Sequence, residues 1–357
     1  MPSPRPKVLI VCNPDIRRVY LRDDDLERLA VFADWEWLPA EGGRGFGPNE
    51  DPDQVQKFLQ KVGDVEGIVV CHGAPKIDAN VLEHAPRLRV VGELEGDRFA
   101  YRIDTDAAWL RGVKTLDTTN GSSYPVSEWA LALAIISLRN AGEQFRHMIA
   151  PETYSRPISD FGYVHGELYG KKVGLVGCGH IGRRLIAFLQ PFHCDIRVSD
   201  PYIPPELPDV LDFLQTSLDN VLADSDVVIC LAPLTPKTRG MLGQRELNLL
   251  KPGSVFVNVS RGPIVDSAAL VERLRRGDIV AGLDVFDPEP IPADHPIKSL
   301  PNVFLSPHIA GVTAATREAF FTLMVDELDR FFHGHETRFD LLPRTLANRE
   351  GRSLERA

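Results

Sequence analysis

The sequence predicts an α/β protein of two doubly wound parallel-sheet domains with a cleft between them, the second domain beginning in mid-chain. Three observations carry this. Short runs of Val, Ile and Leu alternate with longer helical stretches along most of the chain, the pattern of parallel strands covered by helices on both faces. Residues 171–189, KKVGLVGCGHIGRRLIAFL, pass without a break from an apolar strand through a glycine turn into a helix. The 357 residues suffice for two cores of ordinary size.

Ahead of the glycine turn, KVLIV, GIVVC, LRVVG and VKTLD read as strands, with helical segments such as DPDQVQKFLQ between them. From the turn onward KVGLVG, IRVSD, DVVICL, SVFVNV, IVAGLDV and VFLSPH read as six more. The boundary is expected near residue 125, where VSEWALALAIISLRN forms a helix uninterrupted by Gly or Pro. The second domain is then 125–311. Helix ATREAFFTLMVDELDRFF is expected to cross back, so that 1–124 and 312–335 form the first domain. Residues 336–357 are charged and aperiodic, and are expected to be an extended or partly disordered tail.

Composition excludes several classes of function. A hydrophobic content of 43% with 25% charged residues is that of a soluble globular chain. The net charge of -10 argues against a nucleic-acid partner, because phosphate backbones are gripped by clustered Lys and Arg. The longest apolar run, WALALAIISL, is too short to cross a bilayer, and MPSPRPKVLIV lacks a cleavage site of the signal-peptide kind. Five cysteines without a CxxC pair read as reduced core residues of a cytoplasmic protein, and no metal site is expected.

The glycine turn points to a dinucleotide. Gly177 and Gly179 allow a tight turn and close approach to a pyrophosphate, and Gly182 allows the helix to pack against the strand. His180 and Ile181 open that helix, whose free N–H groups and dipole favour an anion. Strand DIRVSDP then ends in Asp200, suited to a ribose 2′-hydroxyl and hostile to a 2′-phosphate, so NAD is predicted over NADP. Arg183 and Arg184, in the same helix, are expected to be solvated or near the pyrophosphate. Ligands of such sheets gather at the carboxyl ends of strands. There SVFVNV leads into Ser260, Arg261 and Gly262, IVAGLDV leads toward Glu289, and VFLSPH ends at His308.

GCGHIG, NVSRGPIVD, GLDVFDPEP and SPHIAG, in this order, resemble the D-isomer-specific 2-hydroxyacid dehydrogenases, densely from about residue 126 to 330. The resemblance implies a flavodoxin-like substrate domain, a Rossmann NAD-binding domain and interconversion of a D-2-hydroxy acid and its 2-oxo acid. It implies that Arg261 holds the substrate carboxylate, His308 is the acid–base group and Glu289 its partner. The residue types suit those tasks: guanidinium grips a carboxylate bidentately, and histidine titrates near neutrality. Asp284 resembles the position that contacts the nicotinamide carboxamide, as a partly buried aspartate, while Pro233 and Thr238 match a segment beside the cofactor. Ser260, Arg261 and His308 complete the expected cofactor contacts, and Asp266 reads as a helix N-cap. The family usually pairs through its cofactor domains, so a homodimer is expected, with the helix at 129–138 offering an apolar surface.

The pattern breaks in the first domain. Where the family carries Gly-x-Gly-x-Asp, this chain has Asp97, Arg98, Phe99, Ala100 and Tyr101. Either Arg98 supplies a second cation for a substrate carboxylate or phosphate, with Phe99 and Tyr101 shaping a different pocket, or the loop has shifted and these residues merely pack. Glu93 and Glu95 would repel an anion unless they point outward. The segment joining the domains lacks the usual Pro-Gly step and has Thr119 and Asn120 instead. Two other functions fit the same motifs: a dinucleotide-sensing, corepressor-like interaction protein, and oxidation of phosphite or formate. Formate is disfavoured, because formate enzymes carry glutamine where Glu289 stands.

Overall fold

The computed structural model describes residues 5–41, 47–95, 102–153 and 166–350. The chain divides into two compact units, Met1–Ser122 with Thr313–Leu346, and Ser123–Val312 with Ala347–Ala357.

The first unit holds a five-stranded, all-parallel sheet in the order β2-β1-β3-β4-β5, the flavodoxin-like arrangement. Its strands are β1 (Lys7–Cys12), β2 (Asp34–Pro39), β3 (Gly67–Val70), β4 (Val90–Glu93) and β5 (Lys114–Asp117). Alternate side chains feed two cores. Leu9, Val11, Ile68, Val70 and Val91 pack with Phe58 and Leu82 on one face, and Val8, Ile10, Val69, Val90 and Leu116 pack with Leu26 and Leu29 on the other. Helix Ala314–Phe332 completes the second core. Its Phe321, Met324, Val325 and Leu328 fall at helical spacing and are buried there, each contributing about 1.5–3 kcal/mol. Gly92 in β4 makes room for this, since a Cβ there would lie 2.3 Å from the Met324 Cε.

Two features of this unit were not legible in the sequence. Strand β2, DWEWLP, was missed because it is a sheet edge with a charged, half-exposed alternation rather than a buried run. The expectation of an extended or partly disordered tail over 336–357 is corrected for the residues up to 350. The Asp117 N–H donates to the Phe339 carbonyl (2.7 Å), the Leu341 N–H donates to the Thr115 carbonyl (2.9 Å), and a helix follows at Pro343–Glu350. Buried Glu327 accepts the Arg338 and Phe339 N–H groups (2.6 and 3.0 Å), and Leu341 and Leu346 enter the core. Two leucines and four hydrogen bonds of the segment's backbone suffice to dock an otherwise charged segment.

The second unit holds a seven-stranded parallel sheet in the order β12-β11-β10-β9-β6-β7-β8. These are β6 (Lys172–Val176), β7 (Asp195–Ser199), β8 (Leu214–Gln215), β9 (Val227–Cys230), β10 (Val255–Asn258), β11 (Val280–Leu283) and β12 (Val303–Leu305). Only β8, a two-residue exposed edge, escaped the sequence reading. The chain starts at the centre in β6, runs outward to β8 and returns to β9 on the other side of β6. The strand order therefore reverses beside the glycine turn, where dinucleotides bind in this fold.

Helix Ser123–Leu138 is core rather than free surface. Val126, Ala130, Leu133, Ala134 and Leu138 are buried with β6 and β10 residues, and Gly282 admits it, since a Cβ there would lie 2.6 Å from the Ser137 Oγ. The apolar surface expected at 129–138 therefore reduces to the exposed Ile135. The next helix, Ala141–Ile149, instead exposes Phe145, Met148 and Ile149 at 61%, 70% and 66%. Among the described residues no helix is long and apolar enough to cross a membrane.

Candidate functional site

At the end of β6 the chain turns through Gly177, whose φ of +100° is open to glycine at no steric cost. A Cβ there would also sit 2.8 Å from the Ala232 nitrogen, so the turn requires glycine twice over. Gly182 lets helix His180–Leu189 lie close, a Cβ there coming within 3.0 Å of the Gly177 carbonyl oxygen. Gly179 caps the helix with nothing within 4 Å of where its Cβ would be. That open side, at the N-terminus of a helix, fits a pyrophosphate. His180 is exposed and Ile181 half-buried at the helix start. The Cys178 thiol between the glycines is buried, and burial pushes it up to about 11 against the weaker pull of Arg183, so it is no nucleophile.

Asp200, just past β7, is fixed toward this turn. One carboxylate oxygen accepts the Cys178 N–H at 2.8 Å and the other the Tyr202 N–H at 2.9 Å. Arg184 is not available to the pyrophosphate: its Nε donates to Ser123 Oγ at 2.6 Å and its guanidinium lies 3.5 Å from the Tyr124 ring centroid. Arg183 is exposed. After β9, Thr238 donates to the Pro233 carbonyl (2.6 Å) and accepts from the Thr235 N–H (2.8 Å), so the loop supports itself.

The end of β10 presents Arg261. Asn258 holds the turn by accepting the Ser260 N–H at 3.0 Å, and Ser260 Oγ donates to the Ala232 carbonyl. Arg261 is half-buried and bonds its neighbour's carbonyl at 2.8 Å. Gly262 brings this turn against the loop that follows β11: a Cβ there would lie 1.8 Å from the Phe286 oxygen. The same loop carries Glu289, whose Oε1 lies 2.6 Å from His308 Nδ1. Both side chains are reachable, at 37% and 43% exposure. His308 itself stands at a φ of +53°, uncommon without glycine. Three successive strand ends thus place an arginine, a glutamate and a histidine at one end of one sheet.

Asp284 is fully buried rather than partly so, and its oxygens accept the Ile309 N–H, the Ala310 N–H and the Ser306 hydroxyl (3.0, 2.9 and 2.6 Å). Asp266 accepts the Ala269 N–H at 2.9 Å, as an N-cap does.

In the first unit, Arg98 and Phe99 lie outside the described residues, as do Asp97, Ala100 and Tyr101. Among the described residues of this unit stands a network that the sequence reading did not find. Fully buried Glu93 pairs with fully buried Arg102, Arg102 reaches His72 Nδ1 at 3.3 Å, and His72 Nε2 lies 2.8 Å from Glu95. Glu95 also accepts from the Tyr20 hydroxyl, and burial, then Glu95, pushes that phenol well above its ordinary range. Glu93 therefore points inward to a cation rather than outward. The available signal was positional, since His72 and both glutamates follow or end strands β3 and β4. Among the described residues no group of His, Cys, Asp or Glu is arranged to hold a metal ion.

The NAD binding domain of the D-isomer specific 2-hydroxyacid dehydrogenases, taken as a family profile, matches residues 131–310. Glyoxylate reductase of Pyrococcus furiosus is 34% identical over 302 residues, 83% of this chain and 86% of that enzyme. D-3-phosphoglycerate dehydrogenase of Methanocaldococcus jannaschii is 31% identical over 281 residues, 78% of this chain, which spans only 52% of that relative. The apo crystal structure of Rhodotorula graminis D-mandelate dehydrogenase aligns with a TM-score of 0.80 at 26% identity, covering 95% of this chain and 98% of that one. The chain belongs to the D-isomer-specific 2-hydroxyacid dehydrogenases, a family of NAD-dependent oxidoreductases acting on 2-hydroxy acids. Its cofactor is NAD, and the corepressor-like and phosphite or formate readings are not favoured.

Proposed function

We propose that this chain interconverts a D-2-hydroxy acid and its 2-oxo acid, with His308 as acid–base group, Glu289 as its partner and Arg261 as the holder of the substrate carboxylate. The observation that carries the reading is the 2.6 Å contact between His308 Nδ1 and Glu289. A carboxylate only accepts, so Nδ1 keeps its proton and Nε2 is the nitrogen that serves the substrate. In reduction, doubly protonated His308 gives its Nε2 proton to the oxo oxygen, and in oxidation Nε2 takes the hydroxyl proton. Bound NAD(H) supplies or accepts the hydride. Arg261 fixes the carboxylate, which orients the carbon beside the oxygen that His308 serves.

NAD is proposed to lie on the backbone of Gly177, Gly179, His180, Ile181 and Gly182, with Asp200 accepting from the ribose hydroxyls. Pro233, Thr238, Ser260, Arg261, Asp284 and His308 border its nicotinamide half. The substrate class is proposed as a small 2-oxo acid of the kind the glyoxylate reductases are named for, contacted by Arg261 and His308. NADH with a panel of 2-oxo acids beginning at glyoxylate, followed by absorbance beside an Arg261→Ala control, tests this. Turnover that the control abolishes is the expected result; NADH binding without turnover of any acid would overturn it.

A homodimer is proposed through Phe145, Met148 and Ile149, a contiguous apolar exposure unusual for a free surface. Phe145→Glu with Met148→Glu should halve the mass seen by light scattering; an unchanged mass removes this face from the interface. A cytoplasmic location is supported by five free cysteines and is checked by cell fractionation.

A further inference from the structure

We infer that Trp129 and Ser306, neither of them a substrate or cofactor contact in the reading above, are positioning residues that act through Asp284 to hold the His308 loop. The inference rests on His308 being the acid–base group.

His308 occupies the left-handed region at +53°. A histidine held there persists only when its surroundings over-determine the backbone. The determinants are on both sides of it. The Asp284 carboxylate takes the N–H groups of Ile309 and Ala310, immediately after His308, and the hydroxyl of Ser306, two residues before it. The Asp284 carbonyl takes the His308 N–H itself at 2.9 Å. One buried residue at the end of β11 thus grips the loop at four points.

The orientation of the Ser306 hydroxyl is in turn set from behind. Trp129 Nε1, on helix Ser123–Leu138, lies 3.0 Å from Ser306 Oγ. Indole N–H can only donate and carboxylate can only accept, so the hydroxyl must accept from Trp129 and donate to Asp284 at 2.6 Å. The second acceptor nearby, the Leu283 carbonyl, is at 3.5 Å and is the weaker choice. The chain Trp129, Ser306, Asp284 runs in one direction and ends on the backbone that aims His308 at Glu289. Ser306 is 4% exposed and Asp284 is fully buried, so water does not substitute easily for a lost partner.

The test compares Trp129→Phe, Ser306→Ala, Ser306→Thr and His308→Asn in the full chain. Trp129→Phe removes the indole N–H and part of the ring area but keeps an aromatic side chain at this half-buried position, so folding is retained. Amide hydrogen exchange of the peptide spanning Ile309 and Ala310 should quicken on the order of tenfold in Trp129→Phe and Ser306→Ala, while the Gly177–Gly182 turn and NADH affinity by fluorescence titration stay within about twofold. Ser306→Thr should restore wild-type exchange. On the oxo acid turned over with NADH, kcat should fall by roughly tenfold in the first two variants with little change in KM, and the double variant should fall no further than the worse single one. Unchanged exchange in Trp129→Phe overturns the inference, as does a loss of NADH affinity matching the loss of kcat, or a threonine that behaves like alanine. If instead exchange quickens but His308→Asn keeps turnover, the loop is held as described and it is the assignment of His308 that fails.

Discussion

The two sheets share one architecture and use the carboxyl ends of their strands in opposite ways. In the seven-stranded unit the groups there are aimed outward: Gly179 leaves open space at a helix start, and Glu289 and His308 are both more than a third exposed. In the five-stranded unit the groups at the same position in the fold face one another. Glu93 and Arg102 are fully buried as a pair, and His72 and Glu95 are mostly buried. The difference teaches that polar residues at strand ends are only candidates. What separates a ligand set from an internal network is whether their partners are already supplied by the protein.

The largest effect that tests this contrast is on catalysis. His308→Asn or Arg261→Ala should lower kcat/KM by about 10³-fold while NADH still binds in a fluorescence titration; near-normal turnover would mean that the outward set is not catalytic. The inward set should answer in stability. Glu93→Gln strands a buried guanidinium and should lower the urea-unfolding free energy by about 3–5 kcal/mol, whereas Glu93→Leu with Arg102→Met should be close to neutral. If Glu93→Gln is stable but slows turnover, the network belongs to function after all. Gly177→Ala forces a Cβ into φ +100° against Ala232, and should cost about 1–3 kcal/mol together with most of the NADH affinity. Asp200→Asn removes a charge that repels a 2′-phosphate, and should narrow the preference for NADH over NADPH on the order of tenfold, about 1.4 kcal/mol, in paired titrations.

The smallest effect concerns thiols. Burial pushes Cys12 and Cys230 up to about 12 and Cys178 and Cys194 up to about 11, and raises Cys71 as well. Groups raised in this way remain neutral thiols at pH 8. A native sample treated with a thiol-exchange dye should therefore release less than one equivalent, against five after denaturation. Rapid native labelling would show that one unit opens more readily than its packing implies.

Legibility followed the same division. Strands buried on both faces announce themselves as apolar runs, so β6, β9, β10 and β11 were readable, while edge strands β2 and β8 were not. The positions of Arg261, Glu289 and His308 past strand ends were readable because each sits in a short motif that follows an apolar run. The Trp129–Ser306 bond joins residues 177 positions apart, and no local pattern encodes it. The inward pairing of Glu93 was not readable because the sequence does not show that Arg102, nine positions on, folds back onto it. Leu341 and Leu346 were lost in a charged stretch whose docking depends on an exposed edge of β5 formed by distant chain.

The helix Ala314–Phe332 carries a consequence for how the protein is made. The five-stranded sheet is translated first, yet Phe321, Met324, Val325 and Leu328, which fill one of its two cores, leave the ribosome after the whole seven-stranded unit has been synthesised. At about 5–20 residues per second the nascent N-terminal segment waits, with Val8, Ile10 and Val69 lacking their cover, while its downstream neighbour already has every strand it needs. The first unit, although begun first, can complete that core only after the strands of the second unit have been made.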